Sequence, residues 1–165
     1  MENFINSLQK ALMPFANKLS SNNFLSALGR AFQLLLPVII IGSFACLGAF
    51  LDIPFWQTFV TSTGLNVVFM TIQSVTLSII ALYVVIIFPY QYAEKLGINP
   101  ISASIISLVA FLLVTPTELY TNIPMQWLGY AGLFGALIIG GLVTKLIQFM
   151  YNKKIYLRMP EGVPQ

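Results

Sequence analysis

The chain has 165 residues, 58% of them apolar and only 8% charged, with eight Lys or Arg, five Asp or Glu, no histidine and one cysteine. A soluble domain carries about a quarter of its residues as charged side chains, so this composition excludes a soluble globule, an acidic tail and a nucleic-acid binder, and leaves a membrane protein. With no imidazole and one thiol, the usual donors for metal sites, disulfides and nucleophile–base pairs are missing, so no catalytic residue, metal or cofactor is expected.

Residues 1–30 precede the first uncharged block. Phe4, Ile5, Leu8, Leu12, Phe15 and Leu19 recur at helical spacing, with Asn3, Asn6, Gln9, Lys10, Asn17 and Lys18 elsewhere. This predicts an amphipathic helix, lying either on the inner membrane surface with its lysines towards the head groups or against protein. Pro14 bends or divides it. The segment lacks the short apolar core and cleavage site of a secretory signal.

Four apolar runs follow, at about 31–51, 66–90, 98–115 and 127–148, each near the length of about 20 residues that crosses a bilayer as a helix. Helices are expected because hydrocarbon forces each backbone group to find its partner within the segment. Pro37 is expected to kink the first span. Ile53 to Leu65 is rich in turn formers (Pro54, Gln57, Thr58, Ser62, Thr63, Gly64) and reads as a surface loop. The third run is bracketed by Asn99-Pro100 and Pro116. Residues 151–165 read as a basic cytoplasmic segment leading into a remainder that the chain lacks. The fold class is therefore an all-α polytopic membrane protein, with four transmembrane helices preceded by an amphipathic interfacial helix.

Basic residues orient it. Lys10, Lys18 and Arg30 precede the first run, Lys95 separates the second from the third, and Lys145, Lys153, Lys154 and Arg158 close the fourth. The connections 52–65 and 116–126 hold no Lys or Arg. The alternation predicts that both termini are cytoplasmic. Trp56, Tyr120, Trp127 and Tyr130 then fall on the outer side, where an aromatic belt is expected.

Few side chains carry chemistry. Cys46 lies mid-span among apolar neighbours and reads as an inert core residue. None of Glu2, Asp52, Glu94, Glu118 and Glu161 falls within a span, which argues against an ion-driven exporter. Small residues mark faces: Thr71, Ser74, Ser78 and Ala81 in the second run, Ala103, Ser107 and Ala110 in the third, Gly132, Ala136 and Gly140 in the fourth. Such stripes let helix backbones approach. A sugar pathway would use the same hydroxyls, but helix contact is the commoner role, so no substrate-binding residue is assigned.

Leu12-Met13-Pro14 followed by Leu36-Pro37-Val38-Ile39-Ile40-Ile41-Gly42-Ser43-Phe44 resembles the start of a sugar phosphotransferase-system permease. The branch is the lactose/cellobiose/diacetylchitobiose enzyme IIC family. Trp127-Leu128-Gly129, Gly132-Leu133-Phe134 and Met159-Pro160-Glu161-Gly162-Val163-Pro164 strengthen the likeness, which spans the whole chain but only the amino-terminal helices of such a permease. The resemblance implies inward movement of a disaccharide in the bacterial cytoplasmic membrane, phosphate supplied by IIA and IIB partners, and a homodimer held by these helices. The family's sugar-binding histidine and glutamate belong to its later half, so neither role is carried to any residue here. What is carried over is a scaffold and dimerisation role, with no transport by this part alone. The alternative is a complete small four-helix membrane protein with a structural or assembly role, meeting a partner through Gly132, Ala136 and Gly140.

Overall fold

The computed structural model describes residues 21–116 and 123–155. Of the expected amphipathic interfacial segment 1–30, residues 1–20 lie outside them, as do Glu118, Tyr120 and the segment 156–165. Within the described residues all regular structure is helical. Helix α1 runs Asn23–Phe50, α2 Pro54–Ser62 and α3 Leu65–Thr76. A 3-10 turn at Leu77–Ile79 joins α3 to α4 (Ile80–Leu96), and α5 (Pro100–Val114) follows. The short α6 (Met125–Leu128) leads through a second 3-10 turn, Tyr130–Gly132, into α7 (Leu133–Asn152).

Helix α1 starts eight residues before the uncharged block (23 against 31). The Asn22 side chain sets that start, accepting from the N–H groups of Phe24 and Leu25 at 3.0 and 3.4 Å. Ala27, Ala31 and Leu35 then recur every four residues as one buried line, with Arg30 left exposed beside it. The helix continues through Pro37, on its exposed face.

Instead of a surface loop, residues 54–62 form helix α2, with Pro54 in its first turn. The side chains that look like turn formers are used as caps. Trp56 Nε1 donates to the carbonyl of Gly48 at 2.8 Å, and Gln57 Nε2 donates to those of Ala49 and Leu51 at 3.2 and 2.8 Å. These carbonyls are the ones that the end of α1 leaves without helical partners.

The second run is one apolar stretch of 32 residues, Leu65–Leu96, broken near its middle. At the break Thr76 has φ −113° and ψ −79°, and its hydroxyl donates to the carbonyl of Ile72 at 2.6 Å. The Val75 carbonyl, which an unbroken helix would give to the N–H of Ile79, instead accepts from the Tyr83 hydroxyl at 2.7 Å. Gly97, at φ +69°, ends α4, and Asn99 caps α5 by accepting from the N–H of Ser102 at 3.1 Å.

Three helical stretches are long and apolar enough to cross a membrane: Asn23–Phe50, Leu65–Leu96 and Tyr130–Asn152. The third expected span is the shorter α5, whose 15 residues reach about 22 Å at the α-helical rise. Its flanking prolines fix that length.

Phe88, fully buried, stands at the centre of the core. The Phe24 ring meets Phe88 edge-on at 5.1 Å and Tyr92 at 5.6 Å, and Phe88 stacks on Tyr92 at 5.8 Å. Ala27, Ala31, Leu35, Ala81, Val84, Val85, Phe111 and Ala136 complete the buried part of this cluster of α1, α4, α5 and α7. Its outer surface is the reverse of a soluble domain: Phe44, Leu113 and Phe134 are 70%, 80% and 73% exposed. Surface so apolar suits lipid or protein, not water.

Candidate functional site: helix seams and an outer groove

The glycine stripe of α7 is used inside the chain. A Cβ on Gly140 would lie 2.8 Å from Pro89 Cγ and 3.3 Å from Phe88 Cδ1, and one on Gly141 would lie 3.0 Å from the Phe24 ring. Ala136, one turn before Gly140, is fully buried. At Gly132 a Cβ would fall on the backbone carbonyl oxygen of Trp127 and 3.2 Å from Phe111. The Gly132 and Gly140 positions thus approach α4, α5 and α6 of the same chain closely.

The stripe Thr71, Ser74, Ser78 and Ala81 of the second run is split in its surroundings at its two ends. Thr71 is exposed while Ala81 is fully buried. In α5, Ala103 and Ser107 are buried against the neighbouring helices, and Ser104 Oγ donates to the carbonyl of Ile86 on α4 at 2.9 Å. Cys46 is half-buried with a free thiol.

Ser74 and Ser78 have a further setting. Ser74 Oγ donates to the carbonyl of Met70 at 2.8 Å. Both serines line a groove of about 320 Å³ with Gln73, Gln126, Gly129 and Tyr130. Gly129 makes the groove's floor possible, since a Cβ there would stand 2.8 Å from the Ser78 carbonyl oxygen. Sequence reasoning missed Gln73 and Gln126, which are far apart in the chain and belong to no repeat. A neighbouring cavity of about 280 Å³ between Phe111, Trp127 and Gly135 is almost wholly apolar.

Charge is divided between the two ends of the bundle. Ile98 and Ala103 pack with Ala93 and Ile147, and Lys145 Nζ sits 5.6 Å over the Tyr92 ring, near Phe24. Arg30 and Lys95 belong to this half, as do Lys153 and Lys154 beyond the last turn of α7. Trp56 and Trp127 lie at the opposite end, with exposed Asp52.

Residues 29–165 match the family described as "Phosphotransferase system, EIIC". The cellobiose-specific EIIC component of Geobacillus stearothermophilus is 33% identical over 99% of this chain and 40% of its own length. The galactose-specific EIIC component of Lactococcus lactis subsp. cremoris is 27% identical over 99% of the chain and 42% of its length. The crystal structure of the transporter ChbC, the IIC component of the N,N'-diacetylchitobiose-specific phosphotransferase system, superposes with a TM-score of 0.80 at 32% identity. That match covers 95% of this chain and 40% of ChbC. The chain therefore spans about two fifths of the length of these relatives.

Proposed function

The chain belongs to the phosphotransferase-system EIIC family, and from that premise we propose that these 165 residues are the scaffold and dimerisation part of a disaccharide permease. The permease carries a sugar such as cellobiose through the bacterial cytoplasmic membrane, pairs as a homodimer, and works with IIA and IIB partners. The observation that carries the reading is the match of nearly the whole chain to 40% of a cellobiose-specific relative. The interior supports a scaffold: its buried polar side chains are five hydroxyls and the Gln91 amide, with no charged side chain among the buried residues described. Group translocation is driven by phosphorylation of the arriving sugar, so such a scaffold needs no ion-binding carboxylate within the membrane.

Four spans with both termini inside complete the proposal. Support comes from the basic residues gathered at the Tyr92 end and the tryptophans at the other. Helix α5 is the short span, accommodated by local thinning of the bilayer and by its packing on α4 and α7. In a Cys46→Ala background, a membrane-impermeant thiol reagent added to intact cells should label Thr61→Cys and not Lys153→Cys. The reverse pattern would sink the orientation.

The scaffold reading is tested by uptake. Cells that make only these 165 residues, with IIA and IIB present, should neither accumulate nor phosphorylate cellobiose above background. Uptake by such cells would overturn it.

A further inference from the structure

The groove between α3, α6 and the two 3-10 turns keeps polar groups that the helix packing does not consume. The side-chain amides of Gln73 and Gln126 and the hydroxyls of Ser78 and Tyr130 have no hydrogen-bond partner among the described residues, although Gln73 and Ser78 are half-buried. Gln126 and Tyr130 are exposed and none of the four groups is sealed from solvent, so each can exchange water for a ligand, and the four converge on one concavity. Among the described residues no charged side chain lines it, so a phosphate, a carboxylate or a cation meets no counter-charge from them. At its rim the Tyr130 ring is 84% exposed, a flat apolar platform. A volume of about 320 Å³ falls at the small end of the roughly 300–1,000 Å³ usual for small-molecule sites.

Two amides that donate and accept, two hydroxyls and an aromatic face, all neutral, suit a ligand with hydroxyls around its edge and C–H groups on its face. We propose that this groove binds a neutral polyhydroxylated ring, with the ring face on Tyr130 and its hydroxyls shared between Gln73, Gln126 and Ser78. The proposal rests on the sugar-permease reading and adds to it a capture site at the tryptophan-bearing end of the scaffold. Two sources carry this chemistry: a free sugar and the head group of a glycolipid.

The test uses the 165-residue chain in a detergent without a sugar head group. Saturation-transfer NMR with cellobiose gives one arm, and vesicles of phosphatidylcholine with and without a glucosyl diglyceride give the other. Saturable binding in either arm is expected, and the arm that binds identifies the source. Gln73→Ala and Gln126→Ala should each weaken it about fivefold, the loss of one neutral hydrogen bond. Tyr130→Leu should abolish it, while Tyr130→Phe retains most of it and Gly29→Ala changes nothing. Circular dichroism of each variant checks that it is folded. Absence of binding in both arms overturns the proposal, as does undiminished binding by folded Gln73→Ala, Gln126→Ala and Tyr130→Leu variants. Binding is read on the isolated chain and uptake in cells, so this proposal and the scaffold reading fail separately.

Discussion

Gly132→Ala should destabilise the folded bundle by about 3 kcal/mol, at the upper end of what overpacking costs. Glycine at this position is not demanded by its backbone angles, φ −85° and ψ −6°, which any residue adopts. The demand is spatial. The methyl group would occupy the place of the Trp127 carbonyl oxygen and press on Phe111. A backbone oxygen cannot rotate away as a side chain can, so the whole α6 turn has to move. The Trp127 ring should report that movement as a shift in fluorescence before any loss of helix. Gly135→Ala, one turn on, would only bring its methyl to 3.9 Å from Phe111, an ordinary contact. Gly29→Ala meets nothing and should gain up to about 1 kcal/mol from helix propensity. Detergent-based unfolding of the three variants checks the order. A Gly132→Ala protein as stable as its parent would mean that α6 does not sit against α7.

The same glycine shows what a single sequence reveals of this fold and what it withholds. The repeat of Gly132, Ala136 and Gly140 is a local pattern, so the close-packing face is legible from spacing alone. The neighbour that fills it is not, because Phe88, Pro89 and Trp127 reach it through the chain's return path. Long apolar runs announce helices because hydropathy is summed over many residues, and α1, the α3–α4 stretch and α7 were readable for that reason. Helix α2 was not. Gln57 and Thr58 look like loop residues until α1 ends beside them with carbonyls needing donors. The break at Leu77–Ile79 was hidden too: Val75-Thr76-Leu77-Ser78-Ile79 is nearly as apolar as its flanks, and the partner that makes the break tolerable, Tyr83, lies outside any local motif. The groove combines both difficulties, since Gln73 and Gln126 meet only after the break and the α6 turn have formed.

Phe88→Ala should cost about 2 kcal/mol, less than the roughly 3–5 kcal/mol typical of a soluble core. The difference is physical. In a bilayer the separated helices already lie in an apolar medium, so the transfer component of the loss is small. What remains is lost dispersion and the cavity left behind. At Phe88 that remainder is large because three helices meet on one ring: Phe24 of α1 edge-on at 5.1 Å, Tyr92 of α4 stacked at 5.8 Å, and Gly140 and Gly141 of α7 alongside. Removing the ring should loosen α1 and α7 from α4 together, seen as earlier unfolding in a denaturing-detergent titration. Phe44→Ala, at a position 70% exposed, should be near neutral in the same assay. The double change Phe24→Ala with Phe88→Ala should cost less than the two single changes added, by roughly 0.5–1.5 kcal/mol, because one edge-to-face pair is then removed only once. Strict additivity would show that the two rings stabilise α1 and α7 independently, and that the bundle has no shared aromatic centre.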